Sequence, residues 1–181
     1  MKFASILFPA FLAATPAASD CPPGRDYGPQ IAEIVDRMQA APHEGAARLL
    51  SAEMWEIWLD APDEIAQSML DEGVAMLQIG ATGSSRRVLS QLIDYCPAYA
   101  EGYNQRAFAA FLSGDFEAAL VDLDVAIELQ PVHLGALTGK AMTLIRLGRN
   151  DEAQVVLREA LAINPWLAER ALLDEPPGED I

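Results

Sequence analysis

The chain has 181 residues, 51% of them hydrophobic, with 27 acidic and 12 basic residues and a formal net charge of −15. So large an acid surplus is a poor electrostatic match for nucleic acid or an anionic membrane surface. The acids, such as Glu117, Asp122, Asp124 and Glu128, read first as a solvated face and second as a means of steering a basic partner.

Residues 1–19 begin with Lys2, run through an apolar stretch over 3–14 and end in small residues over 15–19. This is the layout of a secretory signal peptide, cleaved after Ser19. The apolar run is too short to span a bilayer, and no other segment is apolar enough to do so. Asp20 directly before Cys21 argues against lipoprotein processing. The mature chain is therefore expected to be an exported, soluble single domain.

An extended segment over 20–28 leads to a first helical hairpin over 29–62, with helices expected over 30–40 and 44–60. Ile31, Ile34, Val35 and Met38 form an i, i+3, i+4, i+7 stripe. After a break at Ala41-Pro42, Leu49, Leu50, Met54, Ile57 and Trp58 form a second one. Trp55 and Trp58 could make a stacking platform, but three apart on an amphipathic helix they read better as core.

From residue 63 a period of 34 takes over. Gly80, Gly114 and Gly148 obey it, as do Pro97, Pro131 and Pro165, and Leu89, Leu123 and Leu157. The series Gly73, Ala107, Ala141 and Ser85, Ala119, Ala153 keep the same step with small residues. A fixed period in this range marks supersecondary units that bury their apolar faces only against neighbours. Helices are expected over 64–79, 83–95, 99–112, 116–129, 133–146 and 150–162. The glycines stop each first helix, and Asp115 is placed to cap a second one. The units run over 66–99, 100–133 and 134–167. Pro62 lies 35 residues before Pro97, one off the period, so the first hairpin reads as a degenerate repeat or an N-terminal cap. Residues 166–173 read as a short helix capping the last edge, and the acidic tail over 174–181 as disordered.

The stretches YNQRAFAAFLSGDFEAALVDLDVAIELQP and LTGKAMTLIRLGRNDEAQVVLREALAINP carry an aromatic or Leu, then small, Gly, small and Pro residues at that period. This pattern resembles the tetratricopeptide repeat family. The resemblance implies an all-α fold: a right-handed helical-hairpin solenoid with a degenerate N-terminal hairpin and a C-terminal capping helix. The first unit departs from the pattern at Ser85, where Ala is usual, and is expected to be looser at its turn. Similar small exported proteins occur in Gram-negative bacteria, which implies a periplasmic location.

The resemblance also implies a concave groove lined by the first helices, where peptides or helices dock. The residues falling on that stripe are Leu70, Val74, Asn104, Phe108, Phe111, Thr138, Met142 and Ile145. Packing between repeats is an equally weighted alternative for Phe111, Ile145 and Leu77, which lies on the same stripe. The family's carboxylate clamp uses Lys, Asn and Arg, and only Asn104 matches it here, so that mode is not expected. The function expected is an adaptor holding an apolar or amphipathic segment of a protein partner. The alternative is a self-assembling structural protein of the envelope.

Chemistry is not announced. His43 and His133 lack a second His or Cys at metal-ligand spacing, and both read as surface residues. The stretch Gly80-Ala81-Thr82-Gly83-Ser84-Ser85 lacks the spacing of a phosphate loop and follows a helix. No catalytic residue, metal or cofactor is expected. Cys21 and Cys96 remain. Cys96 ends a second helix on the edge where the first helices begin, and residues 22–29 span at most roughly 26–29 Å. A bridge across that edge is within reach in an oxidising compartment. Two independent thiols are the alternative.

Overall fold

The computed structural model describes residues 21–174. The signal peptide expected over 1–19 and all of the tail beyond Asp174 lie outside the described residues. Within them the chain is all-helical. The helices are α1 (Gly28–Gln39), α2 (Glu44–Trp58), α3 (Glu64–Gln78), α4 (Thr82–Tyr95), α5 (Ala100–Leu112), α6 (Phe116–Leu129), α7 (Leu134–Arg146) and α8 (Asn150–Ile163), and a 3-10 helix, Ala168–Leu172, follows.

Three antiparallel pairs, α3–α4, α5–α6 and α7–α8, stack in chain order, with α4 against α5 and α6 against α7. Each pair turns at a glycine of the 34-residue series. Gly80, Gly114 and Gly148 have φ of 76°, 79° and 73°, a left-handed conformation that costs glycine least. Beyond each, an amide N–H reaches back five residues, from Ala81 to Met76, Asp115 to Ala110 and Arg149 to Leu144, at 2.8, 3.0 and 2.9 Å. The first turn keeps this bond, but among the described residues Ile79 N–H makes none of the bonds that Ser113 N–H makes to Ala109 O and Ala110 O and Leu147 N–H to Thr143 O and Leu144 O, so it is held by fewer bonds than the other two. Small residues let the paired helices approach. At Gly73 a Cβ would stand 2.7 Å from Leu89, while Ala107, Ala119, Ala141 and Ala153 are almost wholly buried.

The N-terminal hairpin does not stack in front of α3 as a preceding repeat. Ile31, Ile34, Met38, Leu50, Met54 and Trp58 share one core with Leu137, Leu144, Val156 and Leu157, on α7 and α8. The hairpin therefore seals the last open face of the array, the task expected of the C-terminal helix. Polar contacts fix it there. Gln39 Nε2 donates to Ala162 O at 2.8 Å, Asn164 Nδ2 to Ser51 Oγ at 3.2 Å and Trp166 Nε1 to Ala41 O at 2.9 Å. With that face taken, residues beyond Pro165 form one 3-10 turn rather than an α-helix, and Trp166, Leu167 and Leu173 fill the margin of the hairpin core.

A strap returns the chain to the other end. Cys21 is bonded to Cys96, with the Cα atoms 5.2 Å apart across a sequence separation of 75. Tyr27 donates its hydroxyl to Asp60, Tyr99 to Trp58 O at 2.7 Å and Tyr95 to Asp63 Oδ2 at 2.7 Å. These bonds hold the strap, the end of α2 and the start of α3 to one edge.

Candidate functional site

The first helices α3, α5 and α7 lie side by side, and their free faces form a groove of about 600 Å³. Val74, Leu77 and Gln78 come from α3; Asn104, Gln105, Phe108, Phe111 and Leu112 from α5; and Gly135, Thr138, Gly139, Met142 and Thr143 from α7. Phe108 and Leu112 are each 50% exposed and Met142 is 40% exposed, so three large apolar side chains meet solvent in one concavity. Large apolar residues clustered in a cleft mark a binding surface more often than residues scattered singly.

Six of the eight expected stripe residues, Val74, Asn104, Phe108, Phe111, Thr138 and Met142, line this groove. Leu70 does not. It is 1% exposed and packs with Leu89, Leu92 and Cys96, because the strap and Tyr99 cover that level of α3. Ile145 is also withdrawn, half-buried against the core that α7 shares with the N-terminal hairpin.

One wall was not anticipated. Trp55, on α2, closes one end of the groove against Gly135. A Cβ at Gly135 would stand 2.6 Å from the Trp55 ring, so only glycine admits the indole. Trp55 and Trp58 meet edge to face at 5.2 Å. The core reading expected for this pair holds fully only for Trp58, at 5% exposure.

His133, expected at the surface, is completely buried. Its Nδ1 accepts the Ala136 N–H at 3.1 Å, which places the ring hydrogen on Nε2, donated to Glu101 Oε2 at 2.8 Å. The ring stacks on Trp58 at 4.1 Å. Glu101 also accepts from Asn104 Nδ2 at 3.1 Å and Gln105 Nε2 at 2.6 Å. Asn104 is thereby a brace for a buried carboxylate rather than a free donor. His43 is exposed and caps α2, accepting from the Ala46 N–H at 3.1 Å.

Among the described residues, the groove wall contains no lysine, arginine or carboxylate. Acid lines the neighbouring cavity under the strap, at Asp26, Asp60 and Glu101. Burial first, then the charges of Glu101, Asp60 and Asp71, push the Tyr99 hydroxyl above its usual range and keep it protonated. At the far end Arg146 lies over the rings of Phe116 and Phe111, at 4.5 and 5.7 Å. A second cavity, of about 580 Å³, sits under the strap between Cys21, Tyr27, Trp58 and Tyr99. The tyrosine hydroxyls there are already committed to Asp60 and the Trp58 carbonyl. Among the described residues no group of three metal-ligating side chains converges, and no helix is long and apolar enough to cross a membrane.

Comparison with known proteins places the fold. A tetratricopeptide repeat family model matches residues 110–172. A TPR repeat-containing protein of Rhizobium etli is 36% identical over 64 residues, covering 35% of this chain and 31% of that one. Human tetratricopeptide repeat protein 36 is 30% identical over 122 residues, 65% of each chain. The chain thus spans about a third to two thirds of the length of these relatives. Among solved structures, the first TPR of Spaghetti, bound to the HSP90 peptide SRMEEVD, superposes with a TM-score of 0.58 at 20% identity, over 59% of this chain and 85% of that one. MamA does so at 0.54 and 20% identity, over 73% and 75%.

Proposed function

We propose, from the tetratricopeptide solenoid that this chain forms, that it is an adaptor whose concave groove holds an apolar or amphipathic segment of a partner protein. The observation that carries this reading is the exposure of Phe108, Leu112 and Met142 together in an uncharged groove. The structural neighbour that holds a peptide lends support through the shared fold alone. A carboxylate-terminated ligand of that kind finds no cation in this wall. Function outside the cell interior, in a periplasm, is part of the proposal. It is supported by the secretory pattern of residues 1–19 and by a Cys21–Cys96 bridge that an oxidising compartment maintains.

The test is affinity capture from an envelope extract with the mature protein and two groove variants. Phe108→Ala and Met142→Glu are expected to lower recovery of the specific partner at least tenfold while the helical circular dichroism signal stays unchanged, since both side chains are substantially exposed. Equal recovery by all three proteins would sink the groove as the binding surface.

A further inference from the structure

We infer that the occupant of the groove is an amphipathic helix of roughly 13 residues flanked by basic side chains, and not an extended strand or a chain terminus. This rests on the interaction reading above and names the class of partner.

The first argument concerns backbone hydrogen bonds. An extended peptide needs partners for its own N–H and C=O groups, whereas a helix satisfies most of its own. Four of the six side-chain donors of this wall are already engaged, the Gln78 amide and the Trp55 indole N–H being the exceptions. Asn104 Nδ2 and Gln105 Nε2 donate to Glu101, Thr138 Oγ1 donates to Leu134 O at 2.9 Å, and Thr143 Oγ1 to Gly139 O at 2.7 Å. A strand laid on Phe108 and Met142 would leave most of its backbone groups there desolvated and unpaired, which weakens binding.

The second argument is continuity with an interface the molecule already has. Helix α2 seats Trp55 and Trp58, at i and i+3, against the start of α7, and Trp55 is at once part of that interface and the end wall of the groove. The same surface continues from Trp55 across α5 to α3. Crossing three adjacent helices covers two spacings of about 8–10 Å, which a helix rising about 1.5 Å per residue spans in roughly 11–13 residues.

The third argument is charge. The wall is neutral, but the chain carries −15. Asp71 stands on the groove-facing register of α3, three residues before Val74 and seven before Gln78. It is exposed, and its recorded contact is the Gln67 amide at 3.0 Å. Arg146, the cation at the far end, is engaged with two aromatic faces. Basic flanks on the occupant complement this field, and acidic ones oppose it.

The experiment uses the mature protein and fluorescently labelled 14-residue peptides, with anisotropy as the readout. The probes are a Leu/Lys amphipathic helix, the same peptide with two central prolines, and a Leu/Glu helix of identical apolar face. The Leu/Lys helix is expected to bind at least tenfold more tightly than either of the others. Met142→Glu is expected to weaken it at least tenfold, although the added acid would strengthen any non-specific attraction, and Asp71→Lys severalfold. Equal binding of the proline peptide overturns the helical occupant and leaves groove binding standing. Equal binding of the Leu/Glu helix overturns the basic flank. Failure of the Leu/Lys helix to bind overturns the inference, and binding that ignores Met142→Glu removes the groove itself. A dimer in light scattering that dissociates in the Met142→Glu variant would make the occupant a second copy of this chain, and the inference would fall.

Discussion

His133 joins three elements through one ring: it caps α7, donates to Glu101 on α5 and stacks on Trp58 of α2. Removing it leaves Glu101, 1% exposed, without one of its three donors and opens a void beneath the indole. His133→Ala is therefore expected to destabilise the fold by about 3 kcal/mol or more, from lost charge-assisted bonding and the cavity together. Urea denaturation measures this, and a loss under about 1 kcal/mol would show the ring to be filler. Ser85 runs the other way. It is fully buried, and its hydroxyl has no hydrogen-bond partner among the described residues, whereas Ala119 and Ala153 hold the equivalent positions in the other units. Ser85→Ala should raise stability by about 1 kcal/mol, by removing an unpaired buried hydroxyl and improving helix propensity. A lower denaturation midpoint in that variant would mean that the hydroxyl is bonded after all.

Among the elements, α3 has the best-defined start. Asp63 accepts the Ala66 N–H at 2.8 Å and the Tyr95 hydroxyl at 2.7 Å. The backbone bond first, and the tyrosine second, hold its carboxyl below the usual range. A depressed carboxylate stabilises the folded state above its unfolded pKa, about 3.9, and that contribution is lost as pH falls through the lower folded value. The stability difference between wild type and Asp63→Asn should therefore be constant from about pH 8 to pH 5 and shrink toward pH 3. Denaturant titrations across that range test it, and a constant difference down to pH 3 would assign the cap no ionic component. The 3-10 turn after Pro165 is an element-scale departure, because the face an α-helix would have covered is occupied by α1 and α2.

For the molecule as a whole, the hairpin and the strap decide stability. The bridge closes a 75-residue separation, and restricting so long a loop in the unfolded chain is worth on the order of 4 kcal/mol in the chain-entropy view. Cys21→Ser, which leaves the buried Cys96 in place, is expected to lower unfolding free energy by up to about that amount. Reductant should bring wild type to the level of the variant. If reductant leaves wild-type stability unchanged, the bridge contributes nothing.

The repeat was legible in the sequence because each of its signals is local or strictly periodic. Gly80, Gly114 and Gly148 mark left-handed turns whatever surrounds them, and the 34-residue step places Val74, Phe108 and Met142 on corresponding faces of three helices. Tertiary structure alone decided where the first hairpin goes. Its stripes at Ile31, Ile34, Leu50 and Met54 say only that it must bury an apolar face, and both ends of the array offer one. Its choice of the α7–α8 end placed Trp55 in the groove, buried His133 under Trp58, drew Ile145 into the core and left the last segment a 3-10 turn. Leu70 was lost to the groove because the strap covers its level of α3. Periodicity reports which side of a helix is apolar; which neighbour covers it depends on contacts more than 70 residues apart in the chain, and no local spacing encodes those.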